Sequence, residues 1–472
     1  MKLKVPDFIK QLLRKNSADE KDPFFRNILK YNLWPARTKR LFILNVFFGF
    51  VLLVILELLP LSKVGQNMIN DNHDFLISES FKQNAREGKT VNDDIELVLL
   101  DRTFYETSPS MGYWTPKLRL NETLLFILDS GAKVVVIDCR LDRAVPDDKE
   151  NDAFLINFKQ SLEKARQTGA VIIIPRLALK NGERPTSFST DFWMLADKYK
   201  DVLKVGDAGI IRNPEDKRIR HLRYYRVESG KEDKKVLLSI SLLAALYDHG
   251  AGMGDEHRNR IIQSILEIEN GQLDSKRIEI FHDTWIKFFP QKTGSDDIEA
   301  RLKFILAPRK IYINKIGYAG AAQSKHVQSA TGIRFRKPES FKGKLVIIGS
   351  DYEDIGDMHL TPIGRMPGVY IIVNAVNMFL NGDQVHADAA ISYLIKIITV
   401  LVVSLGVAHL PAIFDLLLLI LAYMAFRPLS AYLFIEHGLF FNSLLLLAGI
   451  SFFDYVNNVS EYVIERFLSL EE

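Results

Sequence analysis

The sequence predicts an α/β fold, a mostly parallel mixed sheet with flanking helices, in an extracytoplasmic domain tethered by four transmembrane helices. Three observations predict it. Short β-branched runs alternate with helical patterns from Ile95 to Pro175, the rhythm of a parallel core with right-handed crossovers. Apolar runs long enough to span a bilayer stand on both sides of the soluble portion. Between them, Phe341 to Gly382 reads as a strand, an acidic loop and a helix that lead almost directly into one of those runs.

Composition sets the bounds. A chain of 472 residues with 47% hydrophobic content accommodates two soluble domains, or one domain plus membrane spans. Net charge is only +3 and no basic stripe with interleaved aromatics occurs mid-chain, which argues against nucleic acid as a partner. The single cysteine, Cys139, excludes an internal disulfide framework and any multi-cysteine metal site.

Residues 1–40 form a basic arm with eleven Lys and Arg against four acidic residues, and Val5 to Leu13 has the pattern of a short amphipathic helix on an anionic membrane face. Leu41 to Leu61 is apolar apart from Asn45 and Glu57 and is the first span, 41–61. It has no A-x-A cleavage site and reads as a retained signal anchor. The positive-inside rule then places the arm in the cytoplasm and residues 62–386 outside. In that domain Ile95 to Asp101, Lys133 to Asp138 and Ala170 to Pro175 read as buried strands. Leu118 to Asp129 is a helix capped by Gly131, and Pro146-Asp147-Asp148 leads into a second, Asn151 to Gln167. Ile219 to Val227 alternates like a strand with one wet face, Val236 to Tyr247 reads as an apolar helix, and Ile278 to Phe281 and Ile311 to Asn314 as short strands. Lys344 to Ile348 is another buried strand, and Pro367 opens a helix that runs to Leu380. Three spans follow at 390–410, 412–427 and 433–453, punctuated by His409-Leu410-Pro411 and Arg427-Pro428, and 454–472 is a short cytoplasmic tail.

These residues resemble a known extracytoplasmic sensor module, the second type of CHASE domain. The family's C-terminal signature is matched in order by Ile347-Ile348-Gly349, Thr361-Pro362, Arg365-Met366-Pro367-Gly368-Val369 and Asn374-Ala375. Tyr113-Trp114-Thr115-Pro116, Gly131-Ala132-Lys133 and Pro146-Asp147-Asp148 fit its N-terminal half. The layout of one span before the domain and three after it is also similar, so the resemblance covers Leu41 to Phe453. It implies a ligand-sensing domain and a homodimer. Family members commonly continue into a cytoplasmic kinase or cyclase, and no phosphate-cradling glycine loop, kinase signature or cyclase motif follows the last apolar run here. The expectation is a standalone member that relays to a separate membrane or cytoplasmic signalling partner.

The candidate ligand-binding residues are Asp101, Trp114, Asp138, Asp351, Asp354, Asp357 and Arg365. Asp101, Asp138 and the Asp351 loop follow strand ends, the edge where open α/β sheets bind ligands. Turn and capping hydrogen bonds are the plainer role for each carboxylate. Trp114 offers an aromatic wall, with core packing as its alternative. Arg365 offers an anion clamp, with an ion pair as its alternative. The loop lacks the alternate oxygen ligands and terminal glutamate of a calcium site, and no histidine or lysine completes a catalytic set. Gly250-Ala-Gly252-Met-Gly254 follows a helix and reads as a turn. No enzyme, cofactor or metal site is therefore expected. The function expected is a sensor in the bacterial cytoplasmic (inner) membrane, multi-pass, with its main domain outside, in which a small-molecule or envelope ligand on the acidic loop shifts the following helix. A structural scaffold subunit of a cell-envelope complex is the alternative, and an envelope hydrolase using Asp101, Asp138 and Asp351 the third.

Overall fold

A computed structural model describes residues 36–59, 62–106, 114–176, 186–229, 234–249, 255–256, 258–260, 262–263, 278–279, 287–288, 299–301, 326–335, 337–353, 356–381, 389–409 and 415–443. They divide into two compact units, one of His73–His386 with Leu433–Phe440 and one of the remainder. The expected arm helix at Val5 to Leu13, the strand at Ile311 to Asn314, the Gly250–Gly254 turn and the tail 454–472 lie outside the described residues.

Helices α1 (Ala36–Leu58) and α2 (Lys63–Arg86) lead into the α/β core. Strand β1 (Ile95–Leu100), the short helix α3 (Arg102–Glu106) and helix α4 (Lys117–Asp129) come first. Then come β2 (Val134–Asp138), α5 (Asp148–Thr168), β3 (Val171–Pro175), α6 (Ser187–Lys198) and β4 (Leu203–Gly206). The middle holds β5 (Ile210–Ile211), β6 (His221–Arg223), β7 (Tyr225–Ser229), β8 (Lys234–Leu238) and α7 (Ile240–His249). Three short pieces, β9 (Ile278–Glu279), β10 (Lys287–Phe288) and β11 (Glu299–Arg301), precede β12 (Val327–Ser329) and β13 (Leu345–Ser350). A hairpin of β14 (Met358–Thr361) and β15 (Gly364–Pro367) enters α8 (Gly368–Leu380), followed by α9 (Ala389–His409) and α10 (Asp415–His437).

The main sheet has the order β12-β1-β13-β2-β3-β4, and every neighbouring pair is parallel. Parallel strands buried on both faces read as continuous apolar runs, as β1 (IELVLL) and β13 (LVIIGS) do. Val98, Val135, Ile137, Ile172 and Ile348 face a core shared with α4, α5 and α6. Helices α7 and α8 cover the opposite face, over β2, β3 and β13. Helix α5 starts at Asp147, whose side chain accepts the Lys149 amide at 3.0 Å, and stops at Gly169 with φ +71°. All of α8 is buried, as expected of a helix apolar all round.

Several expectations shift. Val236 to Tyr247 is not one helix. Residues Lys234–Leu238 pair with β7, and the helix begins after Ser239, whose Oγ accepts the Leu242 amide at 3.2 Å. Val-Leu-Leu suits a strand as well as a helix, and an available ladder partner decides it. Likewise Ile219 to Val227 splits at buried Tyr224 into β6 and β7. Thr361–Gly368 is a hairpin rather than a plain loop, and Pro367 stands as the N-cap of α8 instead of its first residue. Arg427-Pro428 does not divide the chain: α10 runs through Pro428, whose missing N–H removes a single helix bond. Of the expected spans, 41–61 falls on α1 and 390–410 on α9, while 433–453 is described only to Ser443. Among the described residues, no helix is long and apolar enough to cross a membrane.

Two features hold the main unit. Arg220, 2% exposed, donates from Nε to Asp74 Oδ1 at 2.6 Å and from Nη1 to Asp216 Oδ1 at 3.1 Å, tying α2 to the approach to β6. A Cβ on Gly349 would stand 2.4 Å from Val369 Cγ2, so only glycine lets the first turn of α8 close onto β13. Arg220→Ala removes a buried guanidinium shared by two carboxylates, leaving Asp74 with Arg218, and is expected to cost about 1.5–3 kcal/mol in urea unfolding, clearly more than Arg166→Ala in the half-exposed pair with Asp201. Gly349→Ala is expected to destabilise by about 1–3 kcal/mol. Adding Val369→Ala should then cost less than it does alone, and strict additivity in the double-mutant cycle would contradict the contact.

Candidate functional site

Because β13 lies between β1 and β2, Asp101 and Asp351, which follow β1 and β13, and Asp138, the last residue of β2, share one edge of the sheet. Asp101 and Asp138 are therefore not on neighbouring strands. Asp101 is engaged in structure: Oδ1 accepts the Phe104 amide at 3.0 Å and the Thr331 hydroxyl at 3.3 Å, and Oδ2 accepts the Ser329 hydroxyl. Its role is to cap α3 and fasten the edge strand β12.

Next to this row is a cavity of about 680 Å³, within the range of small-molecule sites. Its base is the carboxyl end of the sheet, at Asp138, Pro175 and Ser350. One wall is the Trp114–Lys117 segment entering α4, and another the Arg140–Val145 segment entering α5. Ile210 and Arg212 approach from β5, and Asp357 and His359 from the hairpin side.

Of the sequence-predicted residues, Trp114, Asp138 and Asp357 line the cavity. The Arg143 guanidinium stacks over the Trp114 ring at 4.2 Å, so this tryptophan is a wall and not core. Asp351 stands beside the cavity without lining it, and Asp354 lies outside the described residues. Arg365 does not reach the site. It sits exposed on β15, opposite Leu360 in the hairpin, because the turn at Thr361–Gly364 aims it away.

The electrostatics differ from an acidic loop. Burial, with the charge of Asp357 added, holds the Asp138 carboxyl well above the usual carboxylate range. Its Oδ2 is buried with no hydrogen-bond partner. Burial likewise pushes the neighbouring Cys139 thiol up. Asp357 has two duties. Its Oδ1 is 2.9 Å from His359 Nε2, and its carboxylate occupies the place of a Gly368 side chain, with Oδ2 only 2.4 Å from where a Cβ would stand. Arg212, a donor only, lies 3.1 Å from His359 Nδ1, so Nδ1 accepts and Nε2–H donates to Asp357. Arg212, His359 and Asp357 thus form one oriented chain ending at the start of α8.

Sequence reasoning passed over Lys117, Arg140, Arg143, Arg212 and His359. Lys117 is 1% exposed, its Nζ has no hydrogen-bond partner, and it rests 3.7 Å above the Phe188 ring. Burial lowers its ammonium to about 7, against the opposing pull of Asp142 and Glu150. The only signal in the chain was its position just after Trp-Thr-Pro, at the start of an apolar helix. Among the described residues no group of three His, Cys, Asp or Glu side chains is placed to hold a metal ion.

A family model, the CHASE2 domain, matches residues 49–409. No curated protein and no solved structure matches the chain.

Burial, and secondarily the charge of Asp101, raises the Asp351 carboxyl to about 6. Folding therefore favours the protonated form, and this group's contribution to stability is lost as pH rises from the unfolded value near 4 through about 6. Asp351→Asn is expected to stabilise the protein above about pH 6 and to be near neutral below about pH 4. Parallel unfolding curves for the two proteins across that window would contradict the assignment.

Proposed function

The chain belongs to the CHASE2 family of extracellular sensory domains, and on that premise we propose a membrane-anchored sensor that takes a small molecule in the cavity at the strand ends. It relays occupancy to a separate signalling partner. Asp357 carries this reading. One carboxylate lines the cavity, takes the His359 hydrogen bond and fills the space beside Gly368, while the Asp357 carbonyl accepts the Gly368 amide at 3.0 Å. A ligand that redirects the Arg212–His359–Asp357 chain acts on the first turn of α8, a fully buried helix. It shifts α8 only by its difference in affinity for the two arrangements. Along the chain, α8 is followed by α9, so displacement at Gly368 is fed toward the apolar segments.

Anchoring in the bacterial inner membrane is supported by those segments. On α1, Ile43, Phe47 and Val54 are exposed, and on α9 Leu394, Ile398 and Val402, apolar area that lipid would cover. Within that unit α1 and α9 pack closely, since a Cβ on Gly49 would meet Val400 Cγ1 at 2.4 Å. The basic arm before α1 supports a cytoplasmic N-terminus. Binding without turnover fits a sensory family.

The test uses the full chain purified from native membranes in mild detergent. Native mass spectrometry is expected to find a bound small molecule that Trp114→Ala loses. Hydrogen exchange at Gly368–Ile372 is expected to differ between loaded and stripped protein, and to stop differing in Asp357→Asn. Identical exchange in α8 with and without a bound molecule would sink the relay through Asp357.

A further inference from the structure

We propose that the cavity is a site for a small organic oxyanion, a carboxylate or phosphate compound, whose charge is met by Arg140, Arg143, Arg212 and Lys117. This rests on the cavity being the sensor's ligand site. Four cationic side chains line it against two carboxylates, Asp138 and Asp357. Those two are poor partners for the cations. Asp357 is committed to His359 and the start of α8, and Asp138, whose Oδ2 is buried without a hydrogen-bond partner among the described residues, is pushed toward its protonated form by burial and by the charge of Asp357.

The cations are correspondingly under-satisfied among the described residues. Arg143 stacks on Trp114, and Arg212 donates to a neutral imidazole nitrogen. Arg140 has one long contact, Nε to Asp142 Oδ1 at 3.5 Å. Lys117 Nζ has no hydrogen bond, only the Phe154 and Phe188 rings beneath it. Converging cations with unused donors, inside a concave site, concentrate anions and offer the planar forks that fit carboxylate and phosphate oxygens. A metal or organic cation would meet four like charges, and a neutral ligand would leave them unanswered. The Trp114–Arg143 stack and the Tyr105 ring supply a flat apolar surface for the body of the ligand.

Binding at this site is linked to a proton. Lys117 is faced by Asp142 from the segment before α5, by Glu150 from α5 itself, and by Phe188 from α6. Near Asp138 stand Cys139 and Asp357. An oxyanion arriving beside Lys117 favours its charged form, so binding takes up a proton and tightens as pH falls from about 8 to about 6.

The experiment is thermal unfolding of the full chain in detergent, with inorganic phosphate, benzoate and citrate as anionic probes. Glucose and spermidine are the neutral and cationic controls, at matched ionic strength. The expected result is saturable stabilisation by at least one anion, and for benzoate, whose charge is constant over the range, stronger stabilisation at about pH 6 than at about pH 8. Arg140→Gln with Arg212→Gln is expected to weaken it roughly tenfold or more, and Lys117→Met to flatten its pH dependence. Arg143→Gln, at an exposed position, tests the same charge where the buried substitution disturbs folding. Anion stabilisation that survives all these substitutions is an adventitious ion only, and overturns the proposal. Stabilisation by glucose or spermidine alone, lost in Trp114→Ala, overturns the oxyanion class and leaves the cavity as a ligand site. Absence of saturable stabilisation by any probe overturns the proposal.

Discussion

The domain depends on one long-range pairing. Strand β13, from the last third of the chain, inserts between β1 and β2, with Ile95–Leu100 on one side and Val134–Asp138 on the other. Without it those two strands share no hydrogen bonds and the sheet has no centre. The insertion also dictates how α8 packs. Gly349, near the end of β13, has no Cβ, so Val369 can pack against the strand and α8 can lie flat over the sheet. Gly368 is bare for the same kind of reason, with the Asp357 carboxylate in the space its side chain would fill. Two glycines and one carboxylate thus join sheet, hairpin and helix. A parallel pairing between residues this far apart in sequence carries a large loop-closure entropy cost, which the buried contacts of β13 must offset.

The same arrangement positions the chemistry. Strand ends in a parallel sheet point their succeeding residues at one edge, and here that edge is divided into a structural part and a cavity. Toward β12, Asp101 caps and crosslinks. Toward β3, the segments entering α4 and α5 bring basic and aromatic side chains over Asp138. The acidic character expected of the site from the Asp351–Asp357 loop gives way to a basic one. Asp138 is pushed toward its protonated form and Asp357 is committed to the start of α8, while Lys117, Arg140, Arg143 and Arg212 arrive at the cavity, offset among the described residues by the long Arg140–Asp142 contact and by the charges of Asp142 and Glu150 near Lys117. In that setting Asp357 joins the wall of the cavity to the first turn of α8.

Some of this was legible from the residues in order, and some was not. The β-branched runs at Ile95, Val134, Val171 and Leu345, and the helix stop at Gly131, are local signals with local causes. They yield the strands, the helices and the parallel class, and the ordered motifs around Gly349, Gly368 and Asn374 yield the family. The helix read at Val236–Tyr247 failed because Val236-Leu237-Leu238 suits either state, and the choice fell to β7, a partner brought by folding.

Chain order by itself determined the element types, the apolar segments, the family and the fact that Asp138 and Asp357 stand at strand and loop ends. Only the tertiary structure decided which groups meet. Burial and charge are properties of position in space: Lys117 looks like an ordinary helix-start lysine until Phe154 and Phe188 close over it, and Arg212 and His359, far apart in sequence, form a pair only when β5 and β14 converge. Asp351, Asp101 and Asp138 look alike in the chain. Their separate fates, one raised by burial, one tied down as a cap and one pushed toward protonation at the cavity, come from the different neighbours the sheet places beside each.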